Sequence, residues 1–203
     1  MAPDTLLALT TFCIVSTITP GPNNMMLLSS GATFGLRRTL PHVLGISMGC
    51  VVMVLLLGLG LASVIGRLPW LYTVLHIVST AYLLYLAWRI ATSAGIGAGA
   101  VRARPLGFLG AAAFQWVNPK AWAMTLGAAT SFSRPGHLIA DVMIVAIVMA
   151  ACGLPCILLW ASGGTVVRRL LTRPSRLRAF NVGMAALLVA SLLPGLVDLA
   201  QRA

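Results

Sequence analysis

Two proline-asparagine elements interrupt stretches that are otherwise apolar enough to cross a membrane. They are Thr19-Pro20-Gly21-Pro22-Asn23-Asn24 and Asn118-Pro119-Lys120. Proline lacks a backbone donor and crowds the carbonyl four residues back, so the carbonyls of Ser16, Ile18 and Gln115 lose their helical partners. Residues before proline are pushed towards extended geometry, which reinforces both breaks. Asn118-Pro119 has the form of a helix start, with asparagine as cap and proline at the first helical position. Gly21-Pro22 can play the same part, leaving Asn23 and Asn24 in the opening turn. Each half-helix would then offer free N–H groups and a partial positive charge, and the unwound carbonyls beside it a partial negative one. A zwitterion such as an amino acid, with carboxylate and ammonium one carbon apart, needs that pairing. The simpler reading is a structural kink whose freed carbonyls are satisfied by neighbouring Ser or Thr. Two breaks at matching positions favour a binding site.

Lys120 is the only lysine and the only charged residue near the middle of an apolar stretch. A charge there costs roughly 2.5–3.5 kcal/mol on insertion scales and calls for a partner or a cavity. It could hold a substrate carboxylate or titrate, or it could tie the two broken segments together through the carbonyls of Ser16 or Ile18. His42 and Asp198 fall near interfaces, where polar residues are cheap. Asp141 falls about a turn inside a span, and His76 deeper, in the titration range useful for proton coupling. A satisfied polar residue is the simpler reading of each. Tyr82 and Tyr85 share a helix face and could line a substrate path, although packing explains them as well; the same holds for Trp116 and Trp122. Cys152 and Cys156 share a face, but thiols four apart without His or carboxylate nearby are poor metal evidence. With Cys13 and Cys50 they read as buried, inert thiols.

The elements that must position these residues follow from composition. Of 203 residues, 59% are hydrophobic and 8% charged, at a mean hydropathy of +0.97, whereas a soluble domain carries about a quarter charged residues. Apolar runs near 20 residues predict six membrane helices, roughly Thr5–Ser29, Leu40–Ile65, Pro69–Ile90, Gly107–Phe132, Leu138–Ser162 and Phe180–Leu199. The first and fourth contain the breaks. Only loops separate the six, so residues 1–203 read as a single transporter domain. Its halves are about 1–93 and 106–203, joined by the glycine-rich run Ala94–Ala100.

The net charge of +11 comes from 14 Lys and Arg against three Asp. The arginines punctuate apolar runs and form no single face, which argues against a nucleic-acid partner. They fit cytoplasmic loops held against anionic lipid. Arg37, Arg38, Arg89, Arg102, Arg104, Arg168, Arg169, Arg173, Arg176 and Arg178 fall on the first, third and fifth connectors. Arg67, Arg134 and Arg202 fall on the other side. That bias places the odd connectors in the cytoplasm and both termini in the periplasm. Three spans per half is an odd number, so the halves enter the membrane in opposite directions. Matching breaks at a midplane site then suggest an inverted repeat. Gly45-Ile46-Ser47-Met48-Gly49 permits close helix approach, within one protomer or between two, so a homodimer is compatible with it.

Thr19-Pro20-Gly21-Pro22-Asn23, with Gly31, Gly35, Arg37 and Gly45 spaced behind it, resembles the start of the lysine-exporter (LysE/RhtB) family. Ala81-Tyr82-Leu83-Leu84-Tyr85-Leu86 is similar to its third-span signature, and Phe114-Gln115-Trp116-Val117-Asn118-Pro119-Lys120-Ala121 to its fourth. The resemblance runs the length of the chain in order. One departure is Ser79, where the family usually has glycine. The resemblance implies a multi-pass exporter of amino acids or close derivatives in the bacterial inner membrane, driven by an ion gradient. Protons are the expected ion. The sequence has no nucleotide-binding motif such as a Walker loop, and nothing in it calls for a cofactor. An enzyme is not expected, because no cluster of carboxylates, His or nucleophiles stands at helical spacing. The alternative is export of another small solute, such as a metal cation or a lipid. The expected substrate-binding set is Pro20, Gly21, Pro22, Asn23, Asn24, Asn118, Pro119, Lys120 and Tyr82.

Overall fold

The computed structural model describes residues 1–61, 63, 67, 69–92, 105–134, 136–170 and 174–190. The joint at Ala94–Ala100 and Asp198 lie outside them, as do the side chains of His76, Trp70 and Tyr72. Every regular element among the described residues is helical. These are α1 (Pro3–Ile18), α2 (Pro22–Phe34), α3 (Leu36–Leu56), α4 (Pro69–Ala91), α5 (Phe108–Phe114), α6 (Pro119–Phe132), α7 (Leu138–Leu170) and α8 (Pro174–Ala190). A π turn, Leu57–Leu61, continues α3, and a 3-10 turn, Gln115–Val117, follows α5.

The expected first-span break is present: α1 and α2 meet at 55° across Thr19–Gly21. The fourth-span break is present too, since α5 and its 3-10 turn end at Asn118 and α6 starts at Pro119. Leu36–Leu61 and Leu138–Arg169, 26 and 32 residues, are long and apolar enough to cross a bilayer, and α1 with α2 makes a third such span if the bent pair is counted as one. At ~1.5 Å per residue α7 outreaches a ~30 Å hydrocarbon core. It is the central post, packed by α1, α2 and α3, while α3 also packs on α5, and α4 pairs with α8.

The exterior is apolar as well as the core. Asn24, Gln115, Asn118, Asp141 and Asn181 are almost fully buried, while Leu7, Leu109, Ile139 and Ile147 are widely exposed. Such an apolar exterior suits lipid, and the chain is an all-α membrane protein. Helices approach to backbone contact where side chains are absent. A Cβ on Gly31 would stand 2.1 Å from the Ala161 carbonyl oxygen on α7, and one on Gly164 would stand 2.2 Å from that of Leu28 on α2. Gly45 and Gly49 serve the same purpose between α3 and α5, where a Cβ would meet the carbonyls of Phe108 and Ala112. The glycine stripe of the second span is therefore used within the protomer. One residue, Gly35 at φ 82°, joins α2 to α3; only glycine adopts that conformation without strain.

Candidate functional site

The first break is an unwound stretch whose carbonyls are satisfied by side chains from several elements. Ser16 O accepts from Thr19 Oγ1 at 3.1 Å. Ile18 O accepts from the Trp160 indole Nε1 at 3.0 Å, across from α7. Asn24 turns back from the first turn of α2, and its Nδ2 donates to Thr17 O at 2.8 Å and Thr19 O at 2.7 Å. Gly21 caps α2 in fully extended backbone, with Pro22 at the first helical position and no side-chain cap bond.

The second break is shorter and caps itself. Asn118 Oδ1 accepts from the backbone N–H of Lys120 at 3.2 Å, the N-cap bond expected from the Asn-Pro pair. Gln115 O, freed by Pro119, accepts from Asn118 N at 3.2 Å in the 3-10 turn. Trp122 Nε1 donates to Trp116 O at 2.8 Å, and the two rings pack edge to face.

Lys120 joins the breaks. Its Nζ donates to Thr19 O at 2.6 Å, Thr19 Oγ1 at 2.8 Å and Pro20 O at 3.1 Å. An ammonium has three donors, and all three are used. The acceptors belong to Thr19 and Pro20, one and two residues after Ile18 and three and four after Ser16, whose carbonyls were expected from proline geometry. Gly21 makes room for the lysine, because a Cβ there would stand 2.6 Å from Lys120 Cδ.

Between the breaks lies a cavity of ≈ 40 Å³. Since a water needs ~10–15 Å³ on this measure, it has room for a few waters. Asn23, Asn24, Asn118, Lys120 and Gly21 line it from the two breaks, and Ser47 and Cys50 from α3. Met124, Met149 and Gly153 close its apolar side. Asn118 Nδ2 takes no protein partner among the described residues. Of the expected set, Pro22 and Pro119 start the half-helices, and Pro20 lends its carbonyl to Lys120. Tyr82 does not line the cavity: its ring packs 5.7 Å from Phe114 and 6.0 Å from Tyr85.

Three side chains carry more than the sequence reading assigned. Gln115, fully buried, makes a reciprocal amide pair with Asn23: Asn23 Nδ2 donates to its Oε1 at 2.8 Å, and its Nε2 donates to Asn23 Oδ1 at 3.2 Å. Its Nε2 also reaches Ala111 O at 2.9 Å. Trp160 is the second. Both place hydrogen-bonding groups in apolar spans and therefore had to find partners; that was the available signal. The third is His42, expected near an interface. It is 1% exposed and neither ring nitrogen has a hydrogen-bond partner among the described residues. An unmet buried polar group costs ~1–3 kcal/mol. Asp141, by contrast, is satisfied: Arg134 Nε and Nη2 grip its two oxygens at 2.8 and 2.9 Å.

The family model described as "LysE type translocator" matches residues 14–192. The cysteine/O-acetylserine efflux protein of Salmonella typhimurium (strain LT2) is 34% identical over 191 residues, 93% of this chain and 96% of that protein. Its namesake in Escherichia coli (strain K12) is 32% identical over the same shares, and that of Klebsiella pneumoniae 33% over 93% and 95%. No solved structure matches. With both breaks inside the matched region and relatives aligned over more than nine-tenths of both chains, the chain belongs to the LysE type translocator family and is a membrane transporter, not an enzyme.

Proposed function

We propose that this chain exports small neutral amino acids of the cysteine or O-acetylserine kind across the bacterial inner membrane in exchange for protons, with the cavity between the breaks as its site. The observation that carries the reading is the convergence of Asn23, Asn24, Asn118 and Lys120 on one cavity walled otherwise by apolar and small side chains. A substrate carboxylate would face the free Nδ2 of Asn118 and the first-turn N–H groups of α2 and α6, which have no helical partners. Its ammonium would face the unwound carbonyls of the first break. Lys120 would exchange one of its carbonyl bonds for the carboxylate. Met124, Met149 and Cys50 leave room for a short, polarizable side chain. A cavity that takes only a few waters would have to widen to admit an amino acid.

The alternating opening fits two inverted halves, about 1–93 and 106–203, each with a broken helix (α1–α2, α5–α6) followed by two further helices. Pro22 would overlay near Pro119 about an axis in the membrane plane. Arg168 Nη1 lies 3.7 Å from where a Gly35 Cβ would stand. This brings the first and fifth connectors to one end of the bundle, in keeping with a cytoplasmic side rich in arginine and periplasmic termini. A homodimer would have to use a face other than the Gly45–Gly49 stripe. Tyr82 would bear on the site through Phe114, the neighbour of Gln115.

Proteoliposomes preloaded with unlabelled O-acetylserine should take up labelled O-acetylserine and cysteine by counterflow, and an acid-outside gradient should drive net efflux. Uncouplers should abolish the driven efflux, and ATP should make no difference. Counterflow confined to large cationic amino acids, or ATP-dependent transport, would overturn the reading. Reporter fusions at Ala98 and Ser175 should report cytoplasm and one at the carboxyl end periplasm.

A further inference from the structure

We propose that His42 is the group that carries the exchanged proton, an inference that rests on the proton-coupled reading above. His42 lies on the buried face of α3, four residues before Ile46, which lines the cavity, and three after Thr39. Thr39 is itself fully buried and hydrogen-bonded to Ser30 of α2 at 2.9 Å. One turn further along α2, Thr33 Oγ1 is buried with no partner among the described residues. The imidazole thus sits at ~6 Å of helix rise from the cavity wall, between that wall and a group of buried hydroxyls. Both of its nitrogens are unengaged, although one is a donor and the other an acceptor in the neutral ring. A structural histidine would normally be bonded through at least one of them.

Among the described residues the surroundings leave the ring without a fixed counter-charge. Helices α2 and α5 and both short turns bring no titratable side chain to α3. Helix α6 brings Lys120, held at the first break. Helix α7 brings Asp141, bound to Arg134, the thiols Cys152 and Cys156, and Arg168 and Arg169 in its last turn. On α3 itself, Cys50 is two turns further on, and Arg37 and Arg38 are in the first turn. Among the described residues a proton on His42 therefore has no carboxylate to trap it, and burial and the arginine end both favour its release. In the step proposed, the acceptor nitrogen takes a proton that entered through the outward-open cavity, giving imidazolium. The imidazolium then loses one proton towards the arginine-bearing end, past Ser30 and Thr39, and returns to the neutral ring. No other bond changes, and one proton moves inwards as substrate moves out.

The test is His42→Gln in proteoliposomes, assayed two ways. Counterflow at equal pH on both sides needs no net proton movement and should stay near wild type. Efflux driven by a pH gradient should fall by at least about tenfold, and its rate should lose its dependence on pH. Gradient-driven efflux at the wild-type rate overturns the proposal. So does a wild-type protein that shows counterflow but no response to a pH gradient, and this outcome leaves the substrate site standing. Absence of wild-type counterflow would instead remove the functional reading itself. Should His42→Gln lose counterflow as well, the decision passes to the variant His76→Gln/His137→Gln, in which His42 is the sole histidine. Its ring-labelled nitrogen resonances should shift with pH and move again on adding O-acetylserine. Resonances indifferent to both overturn the proposal.

Discussion

The two breaks use similar residues in opposite ways. The second is self-contained: Asn118 caps its own helix onto Lys120 N, and the carbonyl freed by Pro119 is taken three residues later by Asn118 N. The first leans on the rest of the molecule. Two prolines close together free more backbone than one turn can recover, and glycine offers no side chain to cap with. Its carbonyls are held by Asn24 from α2, Trp160 from α7 and Lys120 from the second break. A self-capped break behaves as a fixed arm, whereas one held by borrowed donors can rearrange when a ligand offers better partners. On this comparison the first break is expected to be the moving part of the proposed site and Lys120 its latch.

Removing the latch should have the largest effect. Lys120→Ala loses three bonds from one charged group, and loss of even one such bond, at ~1.5–3 kcal/mol, predicts counterflow at least about tenfold slower. Lys120→Arg should fail too, because a planar guanidinium does not match acceptors gathered around a compact ammonium. Wild-type counterflow in Lys120→Ala would dissolve the comparison. Next comes Asn24→Asp, equal in size but without the donors that hold Thr17 O and Thr19 O. It leaves Thr17 O unmet and Thr19 O held by Lys120 alone, with a carboxylate facing both, at ~1–3 kcal/mol for an unmet group, so the thermal midpoint in detergent should fall by several degrees. Asn118→Ala, the matching change at the self-capped break, should cost only the ~1 kcal/mol of an N-cap and slow counterflow by less than about tenfold. If it destabilises the protein more than Asn24→Asp, the roles of the breaks are reversed.

Gly21→Ala sharpens the assignment of the latch. The backbone there is extended, which any residue adopts, so the nearest obstacle is the Lys120 side chain, with Cδ 2.6 Å and Nζ 3.1 Å from the new Cβ. The substitution should impair transport in the wild type and add nothing in a Lys120→Ala background, a coupling that a double-mutant cycle measures. The smallest effect belongs to Trp160→Phe, which keeps the ring but loses the bond to Ile18 O. About 0.5–1.5 kcal/mol of stability should go, with counterflow close to wild type.

Much of this site was legible because proline chemistry is local. Pro20, Pro22 and Pro119 dictate which carbonyls are freed, and Asn118-Pro119 dictates a capped helix start wherever the chain lies. The Asn23–Gln115 pair was not legible, because it joins residues 92 positions apart and either amide could have met another partner. His42 read as an interfacial residue by its place near the start of an apolar run. Its burial depends on the helices that pack on α3, α2, α5 and α7 among them.

The amino-acid sequence by itself determined the apolar helices and the positions of both breaks, since hydropathy and the missing proline N–H act within a few residues. Tertiary structure alone decided which donors meet the freed carbonyls. Partner choice depends on helix packing, which here follows from Gly31 and Gly164 letting α2 and α7 touch and from Gly45 and Gly49 admitting α5. That packing brings Lys120 to Thr19 and Pro20 and not to Ser16 or Ile18. A few ångströms of helix placement separate those acceptors, and no local rule of the chain sets that distance.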